Sequence, residues 1–173
     1  MALNVVRFRH EDTVRWGVAR EGVVRPVPGV FETTGDFLRG VSLADLAGLA
    51  GPDLPESSLE ILSPVTRNQQ FICQGANYRS HMLESGIDPD EKGFNMIFRK
   101  ASSCIVPATS DVVRPSRVRL LDYEIELGLV LGADVTGPRE LSDRDLASVV
   151  AGIVIVNDYS ARDVQIPETQ FYK

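Results

Sequence analysis

Two cysteines, Cys73 and Cys104, are all that this chain of 173 residues contains. They lie far apart and lack the close spacing of a zinc site, so neither a disulfide framework nor a structural zinc organises the fold. Reduced thiols in a cytoplasmic protein are the expectation. Long apolar runs are missing too, and nothing approaches the roughly 20 residues that a membrane-spanning helix needs. The N-terminus, Met1-Ala-Leu-Asn-Val-Val-Arg7, lacks the apolar centre of a secretory signal. Positive charge is scarce: 18 Lys and Arg face 24 Asp and Glu, a net charge of −6. With no basic run and no basic–aromatic stripe, the chain carries no nucleic-acid footprint. There is no Gly-x-Ser-x-Gly elbow and no glycine-rich phosphate loop before a helix, which removes two familiar chemistries.

What is present is a packable chain with an unusual distribution of acids. Hydrophobic residues make up 43% of it, enough for a core. The length allows one domain, or a small domain plus part of a second. Val5-Arg-Phe-Arg-His, Thr13-Val-Arg-Trp-Gly-Val-Ala and Val23-Val-Arg read as short strands separated by turns at Glu11-Asp12 and Glu21-Gly22, a small antiparallel meander. Ser42-Leu-Ala-Asp45 resembles a capping box that starts a short helix. Gly51-Pro-Asp-Leu-Pro-Glu-Ser-Ser58 is the best linker by composition. The expected division is a small N-terminal β domain with linker over residues 1–58 and a second domain over 59–173. Leu59-Glu-Ile-Leu and Gln70-Phe-Ile-Cys read as further strands, and His10 as a surface residue in a turn.

The central stretch is Leu121-Asp-Tyr-Glu-Ile-Glu-Leu-Gly-Leu-Val-Leu131, read as one strand. Alternation puts Asp122, Glu124 and Glu126 on one face. Two strand rises separate the Cα atoms of Glu124 and Glu126 by roughly 6.7 Å, close enough for both carboxylates to reach one cation. Like charges so close in a poorly solvated cleft call for a proton or a cation. A half-exposed strand with acids facing water fits the same pattern. Val149 to Val156 is continuously apolar and reads as a strand buried on both faces. It ends in Asn157-Asp158-Tyr-Ser-Ala-Arg162-Asp-Val-Gln165, where an acid at the mouth of a buried strand needs a partner or a metal. Ser160 is a candidate helix cap, which would put Arg162 and Gln165 on one face. A plain strand-to-turn junction, with Arg162 paired to a surface acid, also fits.

Asn77-Tyr-Arg-Ser-His81-Met-Leu-Glu84-Ser-Gly86 reads as a short helix with Asn77 at its start and Gly86 at its end. His81 and Glu84, three apart, share a side. A carboxylate beside an imidazole raises its basicity and suits a general base that activates water, while a solvated surface pair has the same spacing. Ile87-Asp-Pro-Asp-Glu-Lys-Gly93 reads as a loop or a mobile lid.

Four motifs in this order, Asn77-Tyr-x-x-His81-x-x-Glu84, Phe98-x-Lys100-x-Ser-Ser, Asp122-Tyr-Glu-x-Glu-Leu127 and Asn157-Asp-x-Ser-Ala-Arg-Asp163, resemble the fumarylacetoacetate hydrolase family over roughly residues 68 to 173. The resemblance implies an α+β, mainly β fold: a mixed β-roll, usually dimeric, after a small N-terminal β domain. It implies that Glu124, Glu126 and Asp158 bind a divalent metal, Mg²⁺ or else Mn²⁺ or Ca²⁺, and hard carboxylate oxygens agree with that choice. Arg162 and Gln165 would contact substrate; His81 and Glu84 would be the catalytic pair. The implied reaction is cleavage of a C–C bond in a diketo acid or acylpyruvate-like 2-oxo acid through a metal-stabilised enolate. The alternatives are a decarboxylase or isomerase of 2-oxo dicarboxylates, and an inactive metal-binding fragment of a larger assembly.

The chain also departs from the family. Gln74 stands where the animal hydrolases carry a further Asp ligand, which points to the three-acid branch of acylpyruvate hydrolases, oxaloacetate decarboxylases and hydroxy-heptadiene-dioate isomerases. Ala101 replaces a proline that often follows the motif lysine. The family continues beyond Lys173, including a site lysine expected just past that residue. Half a roll would leave strand edges unpaired.

Overall fold

Tight turns with left-handed residues organise the first three strands. β1 (Asn4–His10), β2 (Thr13–Arg20) and β3 (Val23–Pro26) are joined through Glu11 and Asp12, at φ 47° and 60°, and through Glu21 and Gly22, at 49° and 81°. Positive φ at both inner positions gives a turn whose twist matches that of the flanking strands. The computed structural model describes residues 3–91 and 93–168. Two short helices follow, α1 (Thr34–Gly40) and α2 (Leu43–Ala47). Each starts with a complete capping box, Thr33 with Asp36 and Ser42 with Asp45, which satisfies backbone N–H groups that a helix start leaves open.

β4 (Leu54–Pro55) and β5 (Glu60–Leu62) complete a five-stranded antiparallel sheet in the order β4-β3-β2-β1-β5. Trp16, Val18, Val27, Phe37 and Leu46 form its main core, and Phe8, Ala19 and Val24 a second cluster. Trp16 stacks on Phe37 with ring centroids 4.3 Å apart, and its indole N–H donates to the Phe31 carbonyl at 3.0 Å. The stretch expected as a linker therefore holds a strand, and sheet pairing runs past residue 58, because β5 closes on β1 from Arg7↔Leu62 to Arg9↔Glu60.

The rest of the chain is built from smaller units. β6 (Phe71–Gly75) and β7 (Met96–Lys100) pair antiparallel, with α3 (Arg79–Glu84) between them in sequence. β8 (Leu121–Asp122) pairs with β11 (Ser160–Ala161), β9 (Ile125–Leu131) pairs with β10 (Val150–Asn157), and α4 (Arg162–Glu168) follows. The chain is thus mostly β with few, short helices, as expected. Every strand pair among the described residues is antiparallel, so the mixed pairing expected of a roll is not found among them.

Two strand expectations need correction. Residues 121–131 are not one strand. They change partner at Tyr123 and Glu124, where the Asp158 N–H donates to the Glu124 carbonyl at 2.7 Å and the Asn157 side chain accepts the Glu124 N–H at 3.1 Å. Val150–Asn157 is not buried on both faces: Ile153 and Ile155 are exposed, as are Ile125, Leu127, Leu129 and Leu131 on its partner. The exposed residues alternate with half-buried ones such as Val130, Val154 and Val156, so one face of the ribbon is open and the other only partly covered. Gly128 lets the two strands approach, since a Cβ there would come within 2.7 Å of Val154 Cγ2.

Candidate functional site

The partner change at Glu124 gathers the polar groups of the site. Alternation keeps Asp122, Glu124 and Glu126 partly buried on one face while Tyr123, Ile125 and Leu127 point the other way, as the sequence implied. Asp158 sits where β10 ends, directly across from Glu124, and is one of the few buried polar residues described. A carboxylate so enclosed needs a compensating charge. Lys100, from the end of β7, provides it: the ammonium pairs with Asp158 Oδ1 and donates to the Tyr159 carbonyl at 3.2 Å, and both side chains are only 7% exposed.

Arg162 opens α4 and reaches back over the acids. Its Nε donates to Asp122 Oδ2 at 3.0 Å, one terminal nitrogen lies 3.1 Å from Glu124 Oε1, and the other donates to Gln165 Oε1 at 2.8 Å. The expected spatial pairing of Arg162 with Gln165 is present. Ser160, read as a helix cap, is instead in strand β11, and its hydroxyl donates to Glu124 Oε1. Asp163 accepts the Arg119 N–H at 2.7 Å, and that bond holds its carboxyl below the ordinary carboxylate range.

The His81 helix lies apart from this cluster. Tyr78, not Asn77, precedes α3, and it makes no side-chain cap bond. Asn77 accepts instead from Gln74 Nε2 at 2.9 Å; Gln74 also reaches Asn95 Oδ1 at 3.2 Å. Gly86, at φ 72°, follows the helix as expected. His81 and Glu84 are both exposed. Tyr78 shares a shallow depression of about 320 Å³ with Ile125, Glu126, Leu127 and Ile155, so the foot of α3 borders the β9–β10 ribbon mainly on its apolar face. The loop after α3 is tied back to it by a two-point pair, Arg79 to Asp90 at 2.8 and 2.7 Å, which lowers the Asp90 pKa and raises that of Arg79. Lys173 lies outside the described residues.

Among the described residues no three His, Cys, Asp or Glu side chains converge closely enough to hold an ion. The donor chemistry nevertheless suits a hard divalent cation: the backbones of Glu124 and Asp158 meet at one strand end, Glu126 follows two residues on, and the carboxylates are hard oxygen donors, now paired with Lys100 and Arg162. Sequence reasoning passed over Lys100 and Ser160 as site residues. The Phe-x-Lys motif and the Ser-Ala-Arg-Asp motif held both, but nothing local showed that each would turn toward an acid far away in the chain.

A model of the fumarylacetoacetate hydrolase C-terminal domain matches residues 70–173, and the chain belongs to that family. It is 35% identical over 115 residues to the human mitochondrial oxaloacetate tautomerase FAHD2A, covering 66% of this chain and 35% of that protein. It is 35% identical over 119 residues to the oxaloacetate tautomerase YisK of Bacillus subtilis, covering 67% and 38%. The chain spans little more than a third of the length of these relatives. Among solved structures it is similar to a fumarylacetoacetate hydrolase from Exiguobacterium antarcticum, at 30% identity and a TM-score of 0.77, covering 99% of this chain and 61% of that one. A maleylpyruvate hydrolase of Sphingobium sp. SYK-6, in complex with manganese(II) and pyruvate, shares the fold at 22% identity and a TM-score of 0.64, covering 90% and 58%.

Proposed function

We propose that this chain carries the site of a divalent-cation-dependent enzyme acting on 2-oxo acids through their enol form, with tautomerisation of an oxaloacetate-like 2-oxo dicarboxylate as the best-supported reaction. One observation carries the reading: acids and cations are interleaved at the junction of β8–β11 with β9–β10. Glu124, Glu126 and Asp158 would hold the cation, Mg²⁺, Mn²⁺ or Ca²⁺. Bound there, it supplies a Lewis acid for negative charge that develops on a carbonyl oxygen. Arg162 supplies the carboxylate grip. A guanidinium has five N–H groups. The Arg162 Nε donates to Asp122 and one terminal nitrogen to Gln165, while the other terminal nitrogen lies 3.1 Å from Glu124 Oε1; the terminal N–H groups would take a substrate carboxylate in a fork. Asp122 and Gln165 keep that fork from turning. The tautomerase names of the relatives that are 35% identical support enol chemistry in particular.

Hydrolytic C–C cleavage is the second reading. It is favoured by Tyr78, which brings the start of the His81 helix against the β9–β10 ribbon beside Ile125, Leu127 and Ile155. In that reaction His81, oriented by Glu84, would take a proton from the attacking water.

The test is spectrophotometric. Enol-to-keto conversion of oxaloacetate should stop when divalent cations are stripped by a chelator and return with Mg²⁺ or Mn²⁺. Full turnover in cation-free protein contradicts the reading. If His81→Ala abolishes acylpyruvate hydrolysis but leaves oxaloacetate tautomerisation intact, the His81–Glu84 pair is an addition for hydrolysis to a shared site.

A further inference from the structure

Ser160 is a small hydroxyl residue in a two-residue strand, fully enclosed at 0% exposure. Its backbone pairs with Asp122, while its side chain turns to the acid two positions further on and donates to Glu124 Oε1. A hydroxyl has one proton to give, and the Asp158 carbonyl stands farther off, at 3.4 Å. The same Glu124 oxygen lies 3.1 Å from an Arg162 terminal nitrogen. The Glu124 backbone is fixed as well, its N–H given to Asn157 Oδ1 and its carbonyl taking the Asp158 N–H. The Ser160 hydroxyl bond and the nearby Arg162 nitrogen both meet the Glu124 side chain at Oε1.

We infer that Ser160 is a positioning residue for the cation site: its hydroxyl sets the rotation of the Glu124 carboxylate that would meet the ion. This rests on the reading that Glu124, Glu126 and Asp158 hold a cation. The physical reason is pre-organisation. A ligating carboxylate that is already hydrogen-bonded loses less freedom when it binds, and removing such an outer partner weakens metal affinity by about 10–100-fold in comparable sites. Arg162 alone cannot do this, because its guanidinium is shared with Asp122 and Gln165. An alternative role for Ser160 is only to fill space, since any small residue would fit.

Titration with Mn²⁺ followed by electron paramagnetic resonance separates the two roles. Ser160→Ala keeps the volume and removes the hydroxyl. It should lower Mn²⁺ affinity about tenfold or more and broaden the bound-ion spectrum, while the thermal midpoint in chelator moves little. Unchanged affinity and spectrum in Ser160→Ala overturn the inference. If that variant does not fold, Ser160→Cys takes its place, because a thiol of similar size is a poor donor: reduced affinity supports the positioning role, and wild-type affinity overturns it. Glu126→Gln, which does not touch Ser160, serves as the reference. If Glu126→Gln binds Mn²⁺ as tightly as the wild type, the cation site itself is misassigned and the role of Ser160 falls with it. If Glu126→Gln loses the ion and Ser160→Ala keeps it, only the role of Ser160 fails.

Discussion

In the N-terminal sheet Phe8, Trp16, Val24 and Phe37 are almost wholly removed from water, whereas Ile125, Leu127, Ile153 and Ile155 on the β9–β10 ribbon remain open to it, Ile155 at 80%. The two regions hold together by different forces. Apolar burial and aromatic stacking secure the first, with ion pairs such as Arg25–Asp53 only at its rim. In the second, ion pairs lie at the junctions of the strand pairs, Lys100 with Asp158 and Arg162 with Asp122 and Glu124, beside hydrogen bonds such as that from Ser160 to Glu124. The second region is where we place the proposed chemistry. Enclosed carboxylates contribute little to stability of themselves, and removing one partner leaves a costly charge. The same carboxylates are what a hard cation needs.

The comparison can be broken at either end. Phe37→Ala removes a ring stacked on Trp16 and should cost about 3–5 kcal/mol, read as a lower midpoint in urea; a loss under about 1 kcal/mol would mean that the N-terminal core repacks freely. Lys100→Met removes the ammonium paired with the enclosed Asp158 and should cost about 3 kcal/mol. The double variant Lys100→Met with Asp158→Asn should recover much of that loss, and failure to recover would place the role of Lys100 in packing. A smaller effect concerns acid. The Thr33 hydroxyl first, then Arg39, hold the Asp36 carboxyl below its ordinary value of 3.8. Its folded value is depressed, so its contribution is complete above 3.8 and fades as pH falls below that value toward the folded one. The thermal midpoint should accordingly drop less on acidification in Asp36→Asn than in the wild type. An equal drop in both would show that other carboxylates dominate. Smallest of all, Ile155→Ser on the open face should change stability by no more than about 0.5 kcal/mol. A loss of several kcal/mol would show that this face is covered in solution.

Much of this contrast can be read from the sequence, and its limits are physical. The hairpins were legible because Glu11-Asp12 and Glu21-Gly22 break apolar alternation where a turn needs left-handed residues. The Ser42–Asp45 box was legible, yet the equivalent Thr33–Asp36 box before α1 was overlooked. The shared face of Asp122, Glu124 and Glu126 follows from the period of a strand. Partners could not be read. That β5 pairs with β1, that Lys100 finds Asp158, and that Ser160 turns to Glu124 are consequences of tertiary closure, to which local pattern is blind. The Val150–Asn157 run misled for a related reason: apolar content says a face can be buried, but not whether a layer is there to bury it.

The most direct test of the central assignment is a calorimetric Mn²⁺ titration of four variants beside the wild type. Glu124→Gln, Glu126→Gln and Asp158→Asn should each weaken binding strongly, because each removes a charged oxygen ligand. Asp122→Asn should leave Mn²⁺ affinity nearly intact and act instead on substrate binding, since Asp122 holds Arg162 Nε at 3.0 Å. If Asp122→Asn loses the ion while Glu124→Gln retains it, the acids have been assigned to the wrong roles and the proposed site is contradicted.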